Sequence, residues 1–347
     1  MKSVCFFNNK GGVGKTTLAC NIASYIATKL SYRVLVVDAD PQCNSTQLII
    51  DPDDLDKMYQ VKKIKNPSSP QTLFDVLQPI AQGDSSIAED IHPLLGSRNR
   101  FKVDLIPGHP RLATLEDLLS QAWVNFGGGD LGGARKTNWN SELTTSISER
   151  YDLVFFDVGP SLGALNRSVL VGVDYFVTPM GCDIFSLAGI ENISLWFREW
   201  LKSYERGVRL CEERWGDQIP EHVKRDADTI ARLAGYTVQQ YITKTIRGER
   251  RATKAYETIL EKIPNSIQKE LRRFIKEDVA EADLRLGDVP NMFSLVPLAQ
   301  NANAPIHDLE SGDGLVGTQY TQKTAYMTFI RQLAHNLLCN VGLEARA

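Results

Sequence analysis

The chain has 347 residues, of which 43% are hydrophobic and 23% charged, the balance of a folded globular protein, so a mainly disordered chain is excluded. No apolar run approaches the ~20 residues of a membrane-spanning helix, and MKSVCFFNNK lacks the zones of a secretory signal. Net charge is −3 and the pI is near 6.0, so any nucleic-acid contact must come from a local patch. The cysteines at 5, 20, 43, 182, 211 and 339 show no short metal-ligand spacing and are expected to be buried thiols in a reducing cytosol.

Residues 3–8, SVCFFN, form an apolar run that predicts a buried strand. A helical pattern with apolar Leu18, Ile22, Tyr25 and Ile26 follows through about Leu30. Between them stand Gly11, Gly12, Val13, Gly14, Lys15, Thr16 and Thr17. Strand, glycine-rich loop and helix in this order define a phosphate-binding loop. Its glycines reach backbone angles closed to other residues, and its N–H groups turn inward beside the positive end of the helix dipole. Lys15 is expected on the β- and γ-phosphates, the Thr16 hydroxyl on Mg²⁺ and Thr17 on the α-phosphate.

Lys10 stands at the loop entrance, where an ordinary loop of this kind requires no charge. The resulting KGGVGKTT resembles the deviant Walker A sequence of the ParA/MinD family of dimeric ATPases. That resemblance implies ATP as the nucleotide and a Lys10 that reaches across a dimer interface to the partner's phosphates. The physical reason is that charge gathering on phosphate oxygens is stabilised by a preorganised cation. A second strand, RVLVVDAD, spans Arg33 to about Asp38, and the family's DxDPQ is matched by Asp38, Ala39, Asp40, Pro41 and Gln42. By resemblance Asp40 orients the attacking water and Asp38 lies nearer the Mg²⁺, while Cys43 stands where relatives often carry glycine.

YDLVFFD, residues 151–157, predicts a buried strand ending in a Walker B carboxylate, Asp157, which holds Mg²⁺. The PSLG continuation resembles the family's DxPPSLG switch, with Gly159 replacing the first proline and expected to make the segment more mobile. Residues 173–180 read as a strand, 183–206 as a long helix and 236–244 as a further strand. FSLVP, 293–297, resembles the family's late strand, which makes Pro297 and Leu298, at the head of residues 297–303, the candidate adenine contacts. A last helix over about 319–340 carries a stripe of Tyr326, Phe329, Ile330, Leu333, Leu337 and Leu338, read as core packing.

The fold expected is α/β: a mostly parallel twisted sheet with helices on both faces, a deviant Walker A NTPase with helical insertions. A single domain over 1–347 is expected, with insertions at about 51–100, 120–150 and 205–290 and a flexible loop at FGGGDLGG, residues 126–133. From Leu195 to Lys276 there are 18 Lys/Arg against 12 Asp/Glu. On a helix Arg247, Arg250, Arg251 and Lys254 would share one face, with Lys244 nearby, a candidate patch for sequence-independent DNA binding or a merely solvated face.

The resemblance implies an ATP-bridged homodimer, reset by slow Mg²⁺-dependent hydrolysis that a partner protein stimulates. It works in DNA segregation in the bacterial cytosol or on the nucleoid, with no integral membrane association. The alternative is a subunit of a multi-protein complex, for example in defence against mobile DNA, docked through the insertions.

Overall fold

The computed structural model describes residues 1–60, 70–226, 229–239, 243–246, 249–252, 254–289, 292 and 294–344. In chain order it runs β1 (Lys2–Phe6), α1 (Lys15–Lys29), β2 (Val34–Asp38), α2 (Asn44–Ile49), α3 (Pro52–Gln60), α4 (Leu73–Val76), α5 (Gln78–Ala81) and β3 (Asp104–Ile106). Then come α6 (Glu116–Gly127), α7 (Leu131–Thr137), α8 (Trp139–Ser146), β4 (Leu153–Asp157), α9 (Ala164–Gly172), β5 (Tyr175–Gly181) and α10 (Ile184–Trp215). The chain continues through β6 (Arg232–Gln239), β7 (Thr243–Ile246), β8 (Glu249–Ala252), α11 (Lys254–Leu271), β9 (Arg285–Val289), α12 (Leu295–Asn301) and α13 (Gln319–Asn340).

Among the described residues seven strands form one parallel sheet in the order β3-β2-β4-β1-β5-β6-β9. Apolar strands become central because each must bury both faces, and alternate residues serve opposite cores. Cys5 of β1, Leu35 and Val37 of β2 and Val154 and Phe156 of β4 point to one core, which α4 to α11 cover. Val4 and Phe6, Val34 and Val36, and Leu153 and Phe155 point to the other, under α1, α2, α12 and α13. The α/β fold with helices on both faces is as expected. The α13 stripe packs into that second core, with Tyr326, Ile330, Leu333, Leu337 and Leu338 all buried. Among the described residues no helix is long and apolar enough to cross a membrane. All six cysteines are free thiols; five are buried, whereas Cys339 is exposed.

Three sequence expectations need correction. The FGGGDLGG stretch is a tight α6–α7 corner rather than a flexible loop. Its glycines allow backbones to approach: a Cβ on Gly133 would lie 2.6 Å from Phe126 N and 2.7 Å from Ala122 O. Asp130 caps α7 by accepting from Gly133 N, and Phe126 meets Tyr204 of α10 edge-on at 5.0 Å. Secondly, the described part of FSLVP, residues 294–297, is not a strand. Within the described residues the late strand is β9, disguised in the sequence by Gly287 and Asp288, and Leu295 opens α12. Pro297 fits the first turn of that helix, where its missing N–H leaves no bond unmade. Thirdly, the tract 205–290 is not helical throughout: besides β6, which overlaps the strand expected at 236–244, it supplies β9 to the main sheet and the antiparallel β7–β8 ribbon.

Replacing Gly133 by alanine tests the corner. The helix-propensity gain of at most about 1 kcal/mol is outweighed by a backbone clash costing roughly 1–3 kcal/mol. Gly133→Ala should therefore lower the thermal midpoint by a few degrees; an unchanged or raised midpoint would show that the corner is loose.

Candidate nucleotide site at the carboxyl edge of the sheet

Strands β4, β1 and β2 end together, with Phe6 and Asp38 both in register with Asp157. Their following turns enclose a cleft of about 570 Å³, lined by the glycine loop, Lys15, Thr16, Thr17, Asp40, Val158 and Pro160. That volume is in the range of small-ligand sites. Within the loop, Gly12 (φ +73°) and Gly14 (φ +72°) are left-handed, while the neighbouring Val13 is buried. A Cβ on Gly12 would meet nothing within 4 Å, so the need there is conformational. Asn8 anchors the loop base, donating from Nδ2 to Pro179 O at 2.7 Å and accepting from Lys10 N at 2.9 Å.

Lys15 is buried, and its Nζ donates to two loop carbonyls, Asn8 O at 3.1 Å and Lys10 O at 3.2 Å. Burial lowers its pKa, against the opposing pull of Asp157 and Asp40. Asp157 is almost wholly buried. Its Oδ2 accepts from Thr16 Oγ1 at 2.8 Å and Ser45 Oγ at 2.5 Å, while Oδ1 is buried with no partner among the described residues. Burial raises its pKa above the usual carboxylate range, and the Ser45 and Thr16 hydroxyls only partly offset this. An orphaned carboxylate oxygen beside a threonine hydroxyl fits a hard cation with oxygen ligands.

The three expected metal residues divide. Thr16 and Asp157 are joined, but the Asp38 carboxylate turns to α2, accepting from Thr46 N at 2.8 Å and Thr46 Oγ1 at 2.6 Å. Burial first, and then the charge of Asp157, push the Asp38 pKa upward. Asp40 lines the cleft and accepts from Gln42 N at 2.9 Å. A Cβ on Gly159 would stand 3.1 Å from Asp40 Oδ1, so glycine at that place makes room for the carboxylate. The segment after Asp157 is pinned by Asn166, whose Nδ2 donates to Gly159 O at 2.9 Å, Ser161 O at 2.8 Å and Ser161 Oγ at 3.1 Å.

Lys10 pairs within its own chain, Nζ to Asp183 Oδ2 at 2.5 Å. Pro297 and Leu298 lie in the first turn of α12, from which Gln300 and Asn301 line the cleft instead. The basic residues do not form a helix face. Lys244 lies on β7 opposite Arg251 on β8, Arg250 is opposite Thr245, and Lys254 begins α11, whereas Arg247 lies outside the described residues. The spacing was satisfied, but TKTI and ERRA pair as strands two residues apart.

The sequence reading also missed Ser45, Asn166, Asp183 and Gln239. Ser45 follows DPQ in a polar run. Gln239 ends β6, is buried, has an Nε2 with no partner among the described residues and puts Oε1 where a Cβ on Gly14 would be 2.7 Å away.

A buried lysine, a hydroxyl and an ionisable carboxylate around a left-handed glycine loop define a P-loop nucleotide site. The family model described as an AAA domain matches residues 1–208, and the chain belongs to the ParA family of P-loop ATPases. It is 28% identical to the chromosome partitioning protein ParA of Myxococcus xanthus, over 55% of this chain and 56% of that one. The chain spans less than two thirds of the curated relatives it first matches, 63% in the case of the uncharacterised protein MJECL24 of Methanocaldococcus jannaschii. Among solved structures, protein DIP2308 of Corynebacterium diphtheriae is 30% identical, with a TM-score of 0.76, covering 98% of this chain and 99% of that one. The structure of pNOB8 ParA bound to nonspecific DNA has a TM-score of 0.55 at 16% identity over 98% of both chains, a likeness of fold.

Asn166→Ala removes its hydrogen bonds to Gly159 and Ser161, each worth about 1 kcal/mol. Amides of residues 158–163 should then exchange with deuterium roughly tenfold faster or more. Unchanged protection would mean that other contacts hold the segment.

Proposed function

We propose that the protein is an ATP-dependent dimerisation switch reset by Mg²⁺-dependent hydrolysis, built on one P-loop domain over 1–347 with insertions. The observation that carries the reading is the Lys15–Thr16–Asp157 cluster, with its orphaned Asp157 Oδ1, beneath the glycine loop. The loop N–H groups and Lys15 would bind the β- and γ-phosphates, for which Lys15 exchanges its two loop carbonyls. Thr17 would reach the α-phosphate. Thr16 and Asp157 would hold Mg²⁺, with Asp38 behind them, and the ion would neutralise phosphate charge. Asp40, on the cleft wall, would orient the attacking water, and Lys10 would act on the partner's nucleotide. The α12 turn from Pro297 and Leu298 to Asn301 would border the base.

DNA segregation in the bacterial cytosol or on the nucleoid is the role this reading favours, with a partner protein stimulating hydrolysis. It is supported by the partition relatives and by the fold shared with a ParA seen on nonspecific DNA. The β7–β8 ribbon, carrying Lys244, Arg250 and Arg251, and the start of α11 at Lys254 concentrate the basic charge available for it. A second reading, a subunit docked to a dedicated partner, is favoured by the way the insertion grips the switch helix. Glu116 of α6 accepts from Ala164 N and Leu165 N of α9, and Trp139 Nε1 of α8 donates to Ser168 Oγ at 2.7 Å.

Lys15→Ala should lose nucleotide affinity. Lys10→Ala should bind ATP near the wild-type level but hydrolyse it roughly a hundredfold more slowly or worse, the usual loss for one preorganised donor. Either variant hydrolysing ATP at the wild-type rate would contradict these roles. ATP-dependent DNA binding should fall steeply between 50 and 200 mM salt, by about one log unit or more if two or three phosphates are contacted. Salt-independent binding would remove the electrostatic reading, and stable co-purification with one protein and no DNA binding would favour the second.

A further inference from the structure

We infer that Asp183 is a positioning residue that parks Lys10 on its own protomer until two nucleotide-loaded protomers meet. The inference rests on the trans role given to Lys10 above and adds what holds that lysine beforehand. Asp183 lies between the end of β5 and the start of α10, and its two oxygens do different work. Oδ1 caps the 32-residue α10, accepting from Ser186 N at 2.9 Å, and Oδ2 takes Lys10 Nζ at 2.5 Å. Gly181 completes the seat, because a Cβ there would lie 2.7 Å from Asp183 Oδ2 and 3.6 Å from Lys10 Nζ. The exposed Phe185 ring, its centroid 5.9 Å from Nζ, flanks the lysine on the same rim.

Two features make this a latch rather than a fixed strut. The pair is wet, with side-chain exposures of 39% for Lys10 and 34% for Asp183, so it is cheap to break. In addition, one ammonium cannot stay on Asp183 and also approach a second protomer's phosphates. Formation of a sandwich in which each Lys10 crosses over must break two such pairs. Asp183 thereby raises the protein concentration at which protomers join and keeps Lys10 away from the cleft in single protomers.

Asp183→Asn separates the two duties, since asparagine caps a helix about as well as aspartate but carries no charge for Lys10. Sedimentation equilibrium with a slowly hydrolysed ATP analogue would compare wild type, Asp183→Asn, Lys10→Ala and the double variant. Asp183→Ser, a second capping residue, guards against an effect peculiar to asparagine. An exposed pair shifts an equilibrium roughly 1.4- to 5-fold, and two break per dimer. Both Asp183 variants should therefore tighten dimerisation by roughly tenfold (about 2- to 30-fold), at unchanged nucleotide affinity in the monomer. The gain should shrink at high salt and vanish in the Lys10→Ala background.

Dimerisation that is unchanged or weaker in Asp183→Asn, or tightened equally without Lys10, would overturn the latch. If Lys10→Ala itself dimerised and hydrolysed ATP like wild type, the trans reading would fall and the latch with it. If Lys10→Ala were defective while Asp183→Asn behaved as wild type, the latch alone would fall.

Discussion

A buried carboxylate with an unpaired oxygen governs this molecule. The register of β4 against β1 and β2 sets Asp157 opposite Phe6 and Asp38, next to the cleft-lining Val158 and within electrostatic reach of Lys15. Thr16 and Ser45 satisfy one oxygen, Asp38 accepts hydrogen bonds from Thr46, and among the described residues Oδ1 of Asp157 is left over. Keeping such a group ionised in a dry site is costly unless a cation arrives. The demand for positive charge is therefore built into the backbone pairing. Lys15 meets part of it, and in the function proposed a divalent ion bound with a polyphosphate would meet the rest.

The elements that create this demand were the ones legible in the sequence. β1, β2, β4 and β5 are central parallel strands, buried on both faces, so they read as unbroken apolar runs. The glycine loop was legible because its lysine and hydroxyl stand at a spacing set by phosphate geometry. What escaped had weaker local signals. Strand β9 carries Gly287, where a Cβ would come within 3.3 Å of Leu333, so that a packing requirement of α13 was disguised as a break. The glycines near Gly133 serve close helix packing, which composition cannot distinguish from flexibility. Arg250, Arg251 and Lys254 satisfy helical spacing equally well on a ribbon followed by a helix.

Most of the residues that escaped the sequence reading act on a neighbour far away in the chain: Ser45 reaches Asp157, Asp183 reaches Lys10 and Glu116 ties α6 to α9, whereas Asn166 holds Gly159 and Ser161 only a few residues before it. Polar residues after a strand are ordinary in any loop, and only the assembled sheet reveals which of them converge. Helices α6 and α8 are bonded in this way to α9, the helix that follows residues 158–163.

The claim that the Asp157 cluster is a cradle for a metal-bound triphosphate is tested most directly by calorimetric titration of ATP, with Mg²⁺ and with EDTA, into wild type and Asp157→Asn. The account predicts that Mg²⁺ strengthens binding to wild type tenfold or more, about 1.4 kcal/mol, and does little for the variant. Binding that ignores Mg²⁺ in wild type, or an equal Mg²⁺ effect in both proteins, would contradict it.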